Sequence, residues 1–378
     1  MKINRRKFLE SSSALISASA LGSTAAAAAD QPARPGGKLR LVATEEAFAT
    51  PEQVDFFRSA AGSLWADPDM VMWRNFLNNE TILRRLLDVA SERLSIMDQY
   101  GIDVHLLSLT SPGVQLLDAD RATALATSAN DRLAETIGKH PARFAGLGSF
   151  APQDPKRAAK EIERAINDLK LNGMIVNSHT NSEYLDEQKY WDIFEALSGL
   201  NTALYIHPRN VPQHVEDLMN GRLNLDGAIW GFQMDTGLHA MRLIVSGVFD
   251  QFPNLKIVLG HMGEGVPYWL YRIDYMYNVF AAPGRGRFRT KKMPSDYVKE
   301  NFLITTSGMN DHAVLKYCHE VLGPDNIMFA IDYPYQDTKG AADFMNSAQL
   351  PRPDLEKIAH GNAERIFRIT GGTTQSGN

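Results

Sequence analysis

The sequence predicts an α/β protein built as a distorted (β/α)8 barrel, and two observations lead to this fold class. Eight short apolar runs recur between residues 39 and 332, separated by segments of helical period. No Ser/Gly-rich or Pro-rich linker divides residues 37 to 372, a length that suits a barrel enlarged by loop insertions. A doubly wound open sheet is the alternative, but no GxGxxG motif follows a strand.

The predicted elements follow in chain order. Eight strands are expected at 39–45, 104–110, 144–150, 173–178, 203–207, 256–260, 302–306 and 327–332. Between them, apolar residues repeat at intervals of three and four and predict helices, most clearly at 82–101, 155–173, 186–201 and 312–323. Pro155 and Gly173 stand where helices typically begin and end.

The N-terminal segment resembles a twin-arginine signal peptide over residues 1–29. Arg5-Arg6 precedes a weakly apolar stretch, and the alanine run 25–29 suits a signal peptidase. We expect the twin-arginine export machinery as partner of the precursor, a periplasmic location, and one barrel domain over residues 30–378. The stretch is too short and too rich in serine for stable membrane insertion, which requires about 20 apolar residues. A disordered N-terminus is the alternative.

Composition excludes several classes of protein. The 378 residues carry a formal net charge of −5, with 44% apolar and 22% charged residues, as is ordinary for a globular chain. This balance argues against a nucleic-acid partner, and the one basic cluster, 285–292, is expected to be a solvated loop, an oligomer contact or a guide for an anionic substrate. Cys318 is the single cysteine, so neither an intramolecular disulfide nor a cysteine metal cluster can form.

Four metal-compatible residues stand at the ends of predicted strands. Glu45 ends the first, His207 the fifth and Asp332 the eighth, and His261 follows the sixth directly. Each has an ordinary structural explanation alone: a solvated carboxylate, a hydrogen-bonded histidine, or a helix cap. In a barrel, however, the carboxyl ends of the strands converge on one face. Together they predict a site for a divalent metal, for which Mn²⁺ and Zn²⁺ both suit the ligands.

Several motifs resemble the amidohydrolase superfamily. They are "ATEEAFATPE", "NSHT", "YIHPR", "GHMGEGVPYW", "PSDYVKENFLITTSG" and "DYPYQ". The resemblance extends over nearly the whole chain after the signal peptide. It is strongest to the metal-dependent, non-oxidative aromatic decarboxylases, the branch of the γ-resorcylate and 5-carboxyvanillate decarboxylases. The resemblance implies a distorted (β/α)8 barrel.

The resemblance also assigns roles at the metal. Glu45, His207 and Asp332 become the ligands of one Mn²⁺ or Zn²⁺ ion, with no organic cofactor. Asp332 is also implied to be a catalytic proton donor, and His261 with Glu264 an active-site pair.

One departure from the superfamily pattern concerns the first strand. Many members have His-x-His there and several decarboxylases have Glu-x-His, whereas this chain has Glu45-Glu46-Ala47. Alanine at the third place points to the carboxyvanillate type and away from a dinuclear hydrolase centre. The end of the fourth strand likewise carries Asn177-Ser178-His179 and no lysine that could bridge two metals.

Candidate substrate-binding residues are Arg84, Tyr335, Arg272 and His179. Arg84, or its neighbour Arg85, is placed to meet a carboxylate, and arginine pairs with carboxylates bidentately. Tyr335 suits a phenol or methoxy oxygen, and the resemblance suggests that Arg272 reaches a neighbouring subunit's pocket. Surface ion pairs and aromatic packing are the structural alternatives.

Two tryptophans in the segment after the first strand, Trp65 and Trp73, are candidates for a lid over the site or for core packing.

The predicted function is metal-dependent, non-oxidative decarboxylation of a hydroxylated aromatic carboxylic acid, a carbon–carbon lyase reaction that releases CO2. The alternative is a metal-dependent hydrolase of a lactone, amide or ester on the same barrel, because fold does not decide the reaction. A third possibility is a non-catalytic periplasmic binding protein, which the complete ligand set disfavours. A homo-oligomer, dimer or tetramer, is expected from the resemblance.

Overall fold

The computed structural model describes residues 37–60, 67–219, 225, 227–281 and 290–369. The predicted signal peptide, Trp65 and most of the basic cluster at 285–292 lie outside this part of the chain. The barrel belongs to a compact unit that begins at Leu39. Within the described ranges, no helix combines the length and apolar character needed to span a bilayer.

Eight parallel strands form one sheet in sequential order, as the sequence predicts for a (β/α)8 barrel. They are β1 (Val42–Phe48), β2 (Val104–Leu109), β3 (Phe144–Ser149), β4 (Gly173–Asn177), β5 (Leu204–His207), β6 (Ile257–Leu259), β7 (Phe302–Thr305) and β8 (Ile327–Met328). Backbone bonds join β1 to the segment after β8: the Thr44 amide donates to Phe329 O at 3.1 Å and the Ala47 amide to Tyr333 O at 2.7 Å. The predicted fold class is therefore confirmed.

Helices occupy the connections between the strands. They are α1 (Pro51–Ala60), α2 (Pro68–Leu77), α3 (Glu80–Leu87), α4 (Glu92–Tyr100), α5 (Ala119–Lys139), α6 (Pro155–Asn167), α7 (Trp191–Gly199), α8 (Gln213–Met219), α9 (Gly231–Val245), α10 (Val248–Gln251), α11 (Val266–Ala281), α12 (Pro294–Asn301), α13 (His312–Leu322), α14 (Thr338–Ser347), α15 (Arg352–Glu356) and α16 (Asn362–Phe367). Short 3₁₀ turns precede α7 and β8, and a π turn joins α15 to α16.

The long helix predicted at 82–101 is wrong, because the structure has two helices there. Asp88 ends α3, and its carboxylate accepts the amides of Ser91 at 2.8 Å and Glu92 at 2.5 Å. An aspartate that binds nearby amides offers the backbone an alternative to the continuous helical ladder. Arg84 consequently lies in the last turn of a short helix, α3.

Alternating residues of the strands divide the apolar core into two layers. Val104 and Leu106 of β2 belong to the layer inside the barrel, together with Tyr205 and Val258, and Phe367 contributes to the same layer from α16. Leu107 and the other alternate positions pack outward against the helices. This alternation has period two, as expected for strands.

Candidate metal centre and active site

Three predicted ligands meet at the carboxyl end of the barrel. Ligand atoms of Glu45, His207 and Asp332 all lie within 4.8 Å of one another, and all three side chains are buried or half-buried. The His207 Nε2 atom is 3.3 Å from Glu45 Oε1. The strands bring together residues that are up to 287 positions apart, because β1, β5 and β8 end on the same face.

Three hydroxyl groups hold one oxygen of Glu45, and none of them belongs to the site residues predicted from the sequence. Tyr205, Thr305 and Ser307 all donate to Oε2, Thr305 at 3.1 Å. Their spacing offered a signal, because Tyr205 lies two residues before His207 on β5, and Thr305 and Ser307 are also two residues apart. The period of two places such side chains on one face of a strand.

The other oxygen of Glu45 supports a metal site. Oε1 is buried and has no hydrogen-bond partner among the described residues. It faces His207 Nε2 and His261 Nε2, at 3.3 Å and 3.7 Å. His207 donates its Nδ1–H to Pro208 O at 2.7 Å, which turns Nε2 toward Glu45. A buried carboxylate oxygen without a donor, beside an oriented imidazole and Asp332, fits a divalent cation.

His261 and Glu264 form the predicted pair. His261 Nδ1 donates to Glu264 Oε1 at 2.8 Å, and its Nε2 lies 3.9 Å from Asp332 Oδ2. Four consecutive residues, 261–264, have φ between 49° and 79°, in the left-handed region. This conformation is costly for residues other than glycine, and such strain is concentrated at functional sites. The His261 amide donates to Ser307 Oγ at 2.9 Å, which links this turn to one of the three hydroxyl groups that hold Glu45.

The charges of the cluster shift one another's protonation. Burial opposes ionisation of Glu45, but His261 and His207 outweigh it and hold the pKa of Glu45 well below its usual range. Burial alone would lower the pKa of His261, whereas Glu264 and Glu45 raise it well above the usual value. Burial, with the Glu45 charge, raises the pKa of Asp332. Asp332 therefore holds a proton more readily than Glu45 does.

Tyr205→Phe is expected to weaken binding of Mn²⁺ about 10-fold, because loss of a group that orients a metal ligand typically costs 10- to 100-fold. A metal titration followed by calorimetry checks this. Tyr184→Phe is the matched control, since Tyr184 also donates to a buried carboxylate, that of Asp235, away from the cluster. Equal Mn²⁺ affinities for the two variants would show that the Tyr205 hydroxyl does not support the site.

Of the predicted substrate-binding residues, Tyr335 lies close to this cluster and Arg84 does not. Tyr335 stacks on Phe76, with ring centroids 5.1 Å apart, and its hydroxyl lies 2.5 Å from Thr110 Oγ1. Thr110 lines the small cavity beside Glu45, so Tyr335 is close to the candidate site. Arg84, in contrast, forms an ion pair with Glu92, and its side chain is 57% exposed. Neither Arg84 nor Arg85 is among the residues described around that cavity, and Arg85 also pairs with Glu92.

His179 and Arg272 lie beside other hollows. His179 is buried, and its ring contacts Asn210 O through Nε2 at 3.0 Å. It lines a cavity of about 90 Å³ next to Arg209, and burial together with Arg209 lowers the pKa of His179 to about 3. Arg272 is exposed on α11 beside an apolar hollow of about 420 Å³. Substrate contact by either residue stays a prediction.

Trp73 is a core residue and not a mobile cover. It is fully buried, stacks on Phe57 at 4.1 Å, and donates its indole N–H to Ser111 O at 3.0 Å. Because Ser111 also lines the cavity beside Glu45, Trp73 fixes one wall of the site.

A buried histidine of α9 predicts that acid destabilises the fold. His239 is fully buried, its Nε2 accepts the Leu185 amide at 3.2 Å, and burial lowers the pKa of His239 to about 3. Since this value lies below that of an unfolded histidine, the resulting stability is present above pH 6.5 and is lost as the pH falls toward 3.

We expect the free energy of unfolding to fall by about 1 kcal/mol per pH unit below 6.5 because of His239. His239→Gln keeps an acceptor for the Leu185 amide and removes this slope. Urea unfolding over the acid range measures it, with His312→Gln, on an exposed histidine, as control. Equal slopes for wild type and His239→Gln would contradict the assignment.

Comparison with known proteins identifies the family. Residues 86–369 match the family described as Amidohydrolase. A γ-resorcylate decarboxylase of Polaromonas sp. is 37% identical over 335 residues, covering 87% of this chain and 98% of that protein. The crystal structure of 5-carboxyvanillate decarboxylase from Sphingomonas paucimobilis is 47% identical, covers 88% of this chain and 100% of its own, and superposes with a TM-score of 0.84.

A second solved structure contains a metal. It is the 5-carboxyvanillate decarboxylase of Novosphingobium aromaticivorans, complexed with manganese and 4-hydroxy-3-methoxy-5-nitrobenzoic acid. It is 42% identical and covers 89% of this chain and 98% of its own, with a TM-score of 0.84. The family match spans more than half of the chain, and the relatives cover nearly their full lengths. The chain therefore belongs to the amidohydrolase family, as its motifs predicted.

Proposed function

We propose that this chain is a metal-dependent, non-oxidative decarboxylase of a hydroxylated aromatic carboxylic acid, of the 5-carboxyvanillate type. The observation that carries the proposal is the cluster of Glu45, His207 and Asp332, whose buried Glu45 Oε1 has no donor in the described part of the chain. The similar proteins named above are aromatic-acid decarboxylases, which favours this reaction over hydrolysis. Ala47 lines the same cavity at the position where a second ligand would stand.

A divalent ion held by Glu45, His207 and Asp332 would supply Lewis-acid stabilisation of the phenolic and carboxylate oxygens of the substrate. The remaining chemistry belongs to the side chains. Asp332 transfers its proton to the ring carbon that bears the carboxylate, which interrupts aromaticity. The bond from this carbon to the carboxyl group then breaks, its electron pair returns to the ring, and CO2 leaves. Asp332 regains a proton from solvent.

His261 and Glu264 orient the leaving carboxylate. The Nδ1–H bond to Glu264 fixes the plane of the imidazole and leaves Nε2 directed toward Glu45 and Asp332. The Glu264 carboxylate stabilises the positive charge of His261. The orientation keeps a cationic group beside the reacting carboxylate until CO2 departs.

The ion that we propose is Mn²⁺, with Zn²⁺ as the competing candidate. One nitrogen and two carboxylate ligands suit either ion. Solved structures of two relatives contain manganese, one of them the dihydroxybenzoic acid decarboxylase of Polaromonas sp. with 2-nitroresorcinol. Metal analysis of the protein purified without added metal, followed by activity after reconstitution with each ion, decides between them.

The test of function is a product assay on the chain from residue 30 onward, reconstituted with Mn²⁺ or Zn²⁺. Ortho-hydroxy aromatic acids, with 5-carboxyvanillate first, are offered beside lactones, amides and esters, and CO2 release is followed together with hydrolysis. We expect CO2 release that chelation abolishes and metal restores. Hydrolysis without CO2 would transfer the chain to the hydrolase alternative.

We also propose that the protein self-associates. Several large apolar side chains of α9 and α11 are exposed: Met234, Leu238, Tyr268, Trp269, Tyr271, Tyr275 and Phe280. An apolar surface of this extent typically marks an interaction site, and Arg272 lies within it. The proposed occupant is a second copy of the chain. Light scattering is expected to show a dimer or tetramer that Trp269→Glu dissociates, with the exposed Lys139→Glu variant as control.

The proposed location is the periplasm, reached by twin-arginine export of the precursor. Support comes from the sequence of residues 1–29 alone. Fractionation of cells that express the full chain, compared with an Arg5→Lys, Arg6→Lys variant, tests it. Unchanged cytoplasmic recovery of both proteins would contradict export.

A further inference from the structure

The backbone around Asp332 is held by an unusual set of bonds. Asp332 has a φ of 74°, in the left-handed region, although it is not glycine. Its own amide donates to Glu45 O at 3.0 Å. The amides on either side donate to the two oxygens of one side chain: Ile331 to Glu46 Oε1 at 3.0 Å and Tyr333 to Glu46 Oε2 at 3.2 Å. Glu46 therefore brackets Asp332.

Glu46 is not part of the metal cluster. It is fully buried and lies on the opposite side of β1 from Glu45, where His105 Nε2 is 3.8 Å from its Oε2. Its carboxylate forms no ion pair within 4.0 Å with any arginine or lysine in the described ranges. Both of its hydrogen bonds recorded there go to the amides that flank Asp332.

A buried arginine, Arg93, contacts the residues that follow Glu46 and Asp332 in the chain. Arg93 lies over the ring of Tyr333, with its guanidinium carbon 4.5 Å from the ring centroid, and donates to Ala47 O at 2.5 Å. It thus fixes from outside the barrel the residues that follow Glu46 and Asp332. Each carboxyl oxygen of Glu46 accepts one of the two amides, which offsets part of the cost of burying this side chain.

We propose that Glu46 is a positioning residue that holds the Asp332 carboxylate in place by clamping the backbone amides on its two sides. This inference rests on the proposed function, in which Asp332 is a metal ligand and the proton donor. The left-handed conformation of Asp332 directs its side chain into the cluster, and two bonds from a rigid, buried strand maintain that conformation. Without the clamp, the Asp332 carboxylate samples positions outside the cluster.

Glu46→Gln tests the clamp with little change of shape. Glutamine has one acceptor oxygen, so one of the two amides faces its NH2 group and loses its partner. Mn²⁺ affinity is titrated by calorimetry for four proteins: wild type, Glu46→Gln, Asp332→Ala, in which residue 332 has no ligand atom, and the double variant. We expect Glu46→Gln to lose about 10-fold in affinity when Asp332 is present. In the Asp332→Ala background, Glu46→Gln is expected to reduce the Mn²⁺ affinity by no more than about twofold, because the clamp acts through the side chain of Asp332.

Two results of the cycle would overturn the proposal. An equal loss in both backgrounds would mean that Glu46 acts on the metal through its charge or on the fold in general. No loss in either background would mean that the clamp does not position Asp332. Glu161→Gln is the matched control for removal of a buried carboxylate, since Glu161 bonds to Asn130 and Arg164 away from the site.

Hydrogen exchange gives a second readout that needs no metal. It tests the clamp even where a variant binds Mn²⁺ too weakly to titrate. At least one of the two amides, of Ile331 or of Tyr333, is expected to exchange about 10-fold faster in Glu46→Gln than in wild type, and both are expected to be unchanged in Glu161→Gln. Unchanged exchange in Glu46→Gln would refute the clamp.

The outcome separates this inference from the proposed function. Non-additive Mn²⁺ affinities with no decarboxylation of any aromatic acid would uphold the clamp and reject the reaction. Decarboxylation by wild type with additive affinities would uphold the reaction and reject the clamp. If the clamp and the decarboxylation are both upheld, Glu46→Gln lowers kcat and leaves KM nearly unchanged, because the displaced Asp332 carboxyl group delivers the proton in the transition state.

Discussion

Asp332→Asn is expected to reduce kcat for decarboxylation by about 10³-fold or more, while the protein still binds a divalent ion. The amide cannot deliver a proton to the ring carbon, and a positioned general acid typically contributes 10²- to 10⁴-fold. An amide oxygen remains available to the metal, together with Glu45 and His207, so affinity falls without disappearing. Steady-state CO2 release and Mn²⁺ titration of the same preparation measure the two quantities separately.

Asp235→Asn is the matched control for this change. Asp235 is also a buried aspartate that accepts two hydroxyl hydrogen bonds, from Ser178 and Tyr184, but it lies outside the metal cluster. We expect kcat of this variant to stay close to that of wild type. Retention of substantial activity by Asp332→Asn would refute its role as proton donor and leave it as a metal ligand only.

Glu45→Gln is expected to abolish metal binding at working concentrations and decarboxylation with it. The change neutralises the buried carboxylate whose Oε1 faces His207 and His261. The loss of Mn²⁺ affinity should exceed the 10- to 100-fold that removal of an outer hydrogen bond costs. A thermal shift is a readout without substrate: an ion at 100 times its dissociation constant stabilises the folded state by about 2.7 kcal/mol.

The control for Glu45→Gln is wild type treated with a chelator. We expect the chelated protein to lose activity and the Mn²⁺-dependent thermal shift, and to regain both when Mn²⁺ is added. Glu45→Gln should regain neither. A normal thermal shift in Glu45→Gln would show that the ion binds elsewhere, and activity that survives chelation would contradict a metal-dependent reaction.

Much of the barrel was predictable because its signals are local. Seven of the eight strands begin within one residue of their predicted starts, since buried parallel strands are short continuous apolar runs. The predicted ends of those strands also located Glu45, His207 and Asp332, because the topology places the carboxyl ends on one face. In the structure only His207 is the last residue of its strand: β1 continues three residues past Glu45, and β8 ends four residues before Asp332. The pairing of His261 with Glu264 followed from the motif that contains both.

Side-chain partners were less predictable. Arg84 was expected to face a carboxylate of the substrate, yet in the structure its guanidinium pairs with Glu92. The helical period continues through the Asp88 break, so periodicity could not reveal that Glu92 begins a second helix beside α3. Choice among ion-pair partners depends on how elements pack, which no local pattern records.

The first strand, β1, separates what could be predicted from the sequence from what depends on strand pairing. Sequence by itself determined that an apolar run reaches two adjacent carboxylates, Glu45 and Glu46, and that a cation should meet one of them. Val42 faces into the barrel. If side chains alternated strictly along β1, Glu45 would point outward, away from the cluster. The register of β1 against β2 instead shifts between Ala43 and Glu46, and this bulge turns Glu45 inward to the metal cluster and Glu46 outward to the amides beside Asp332.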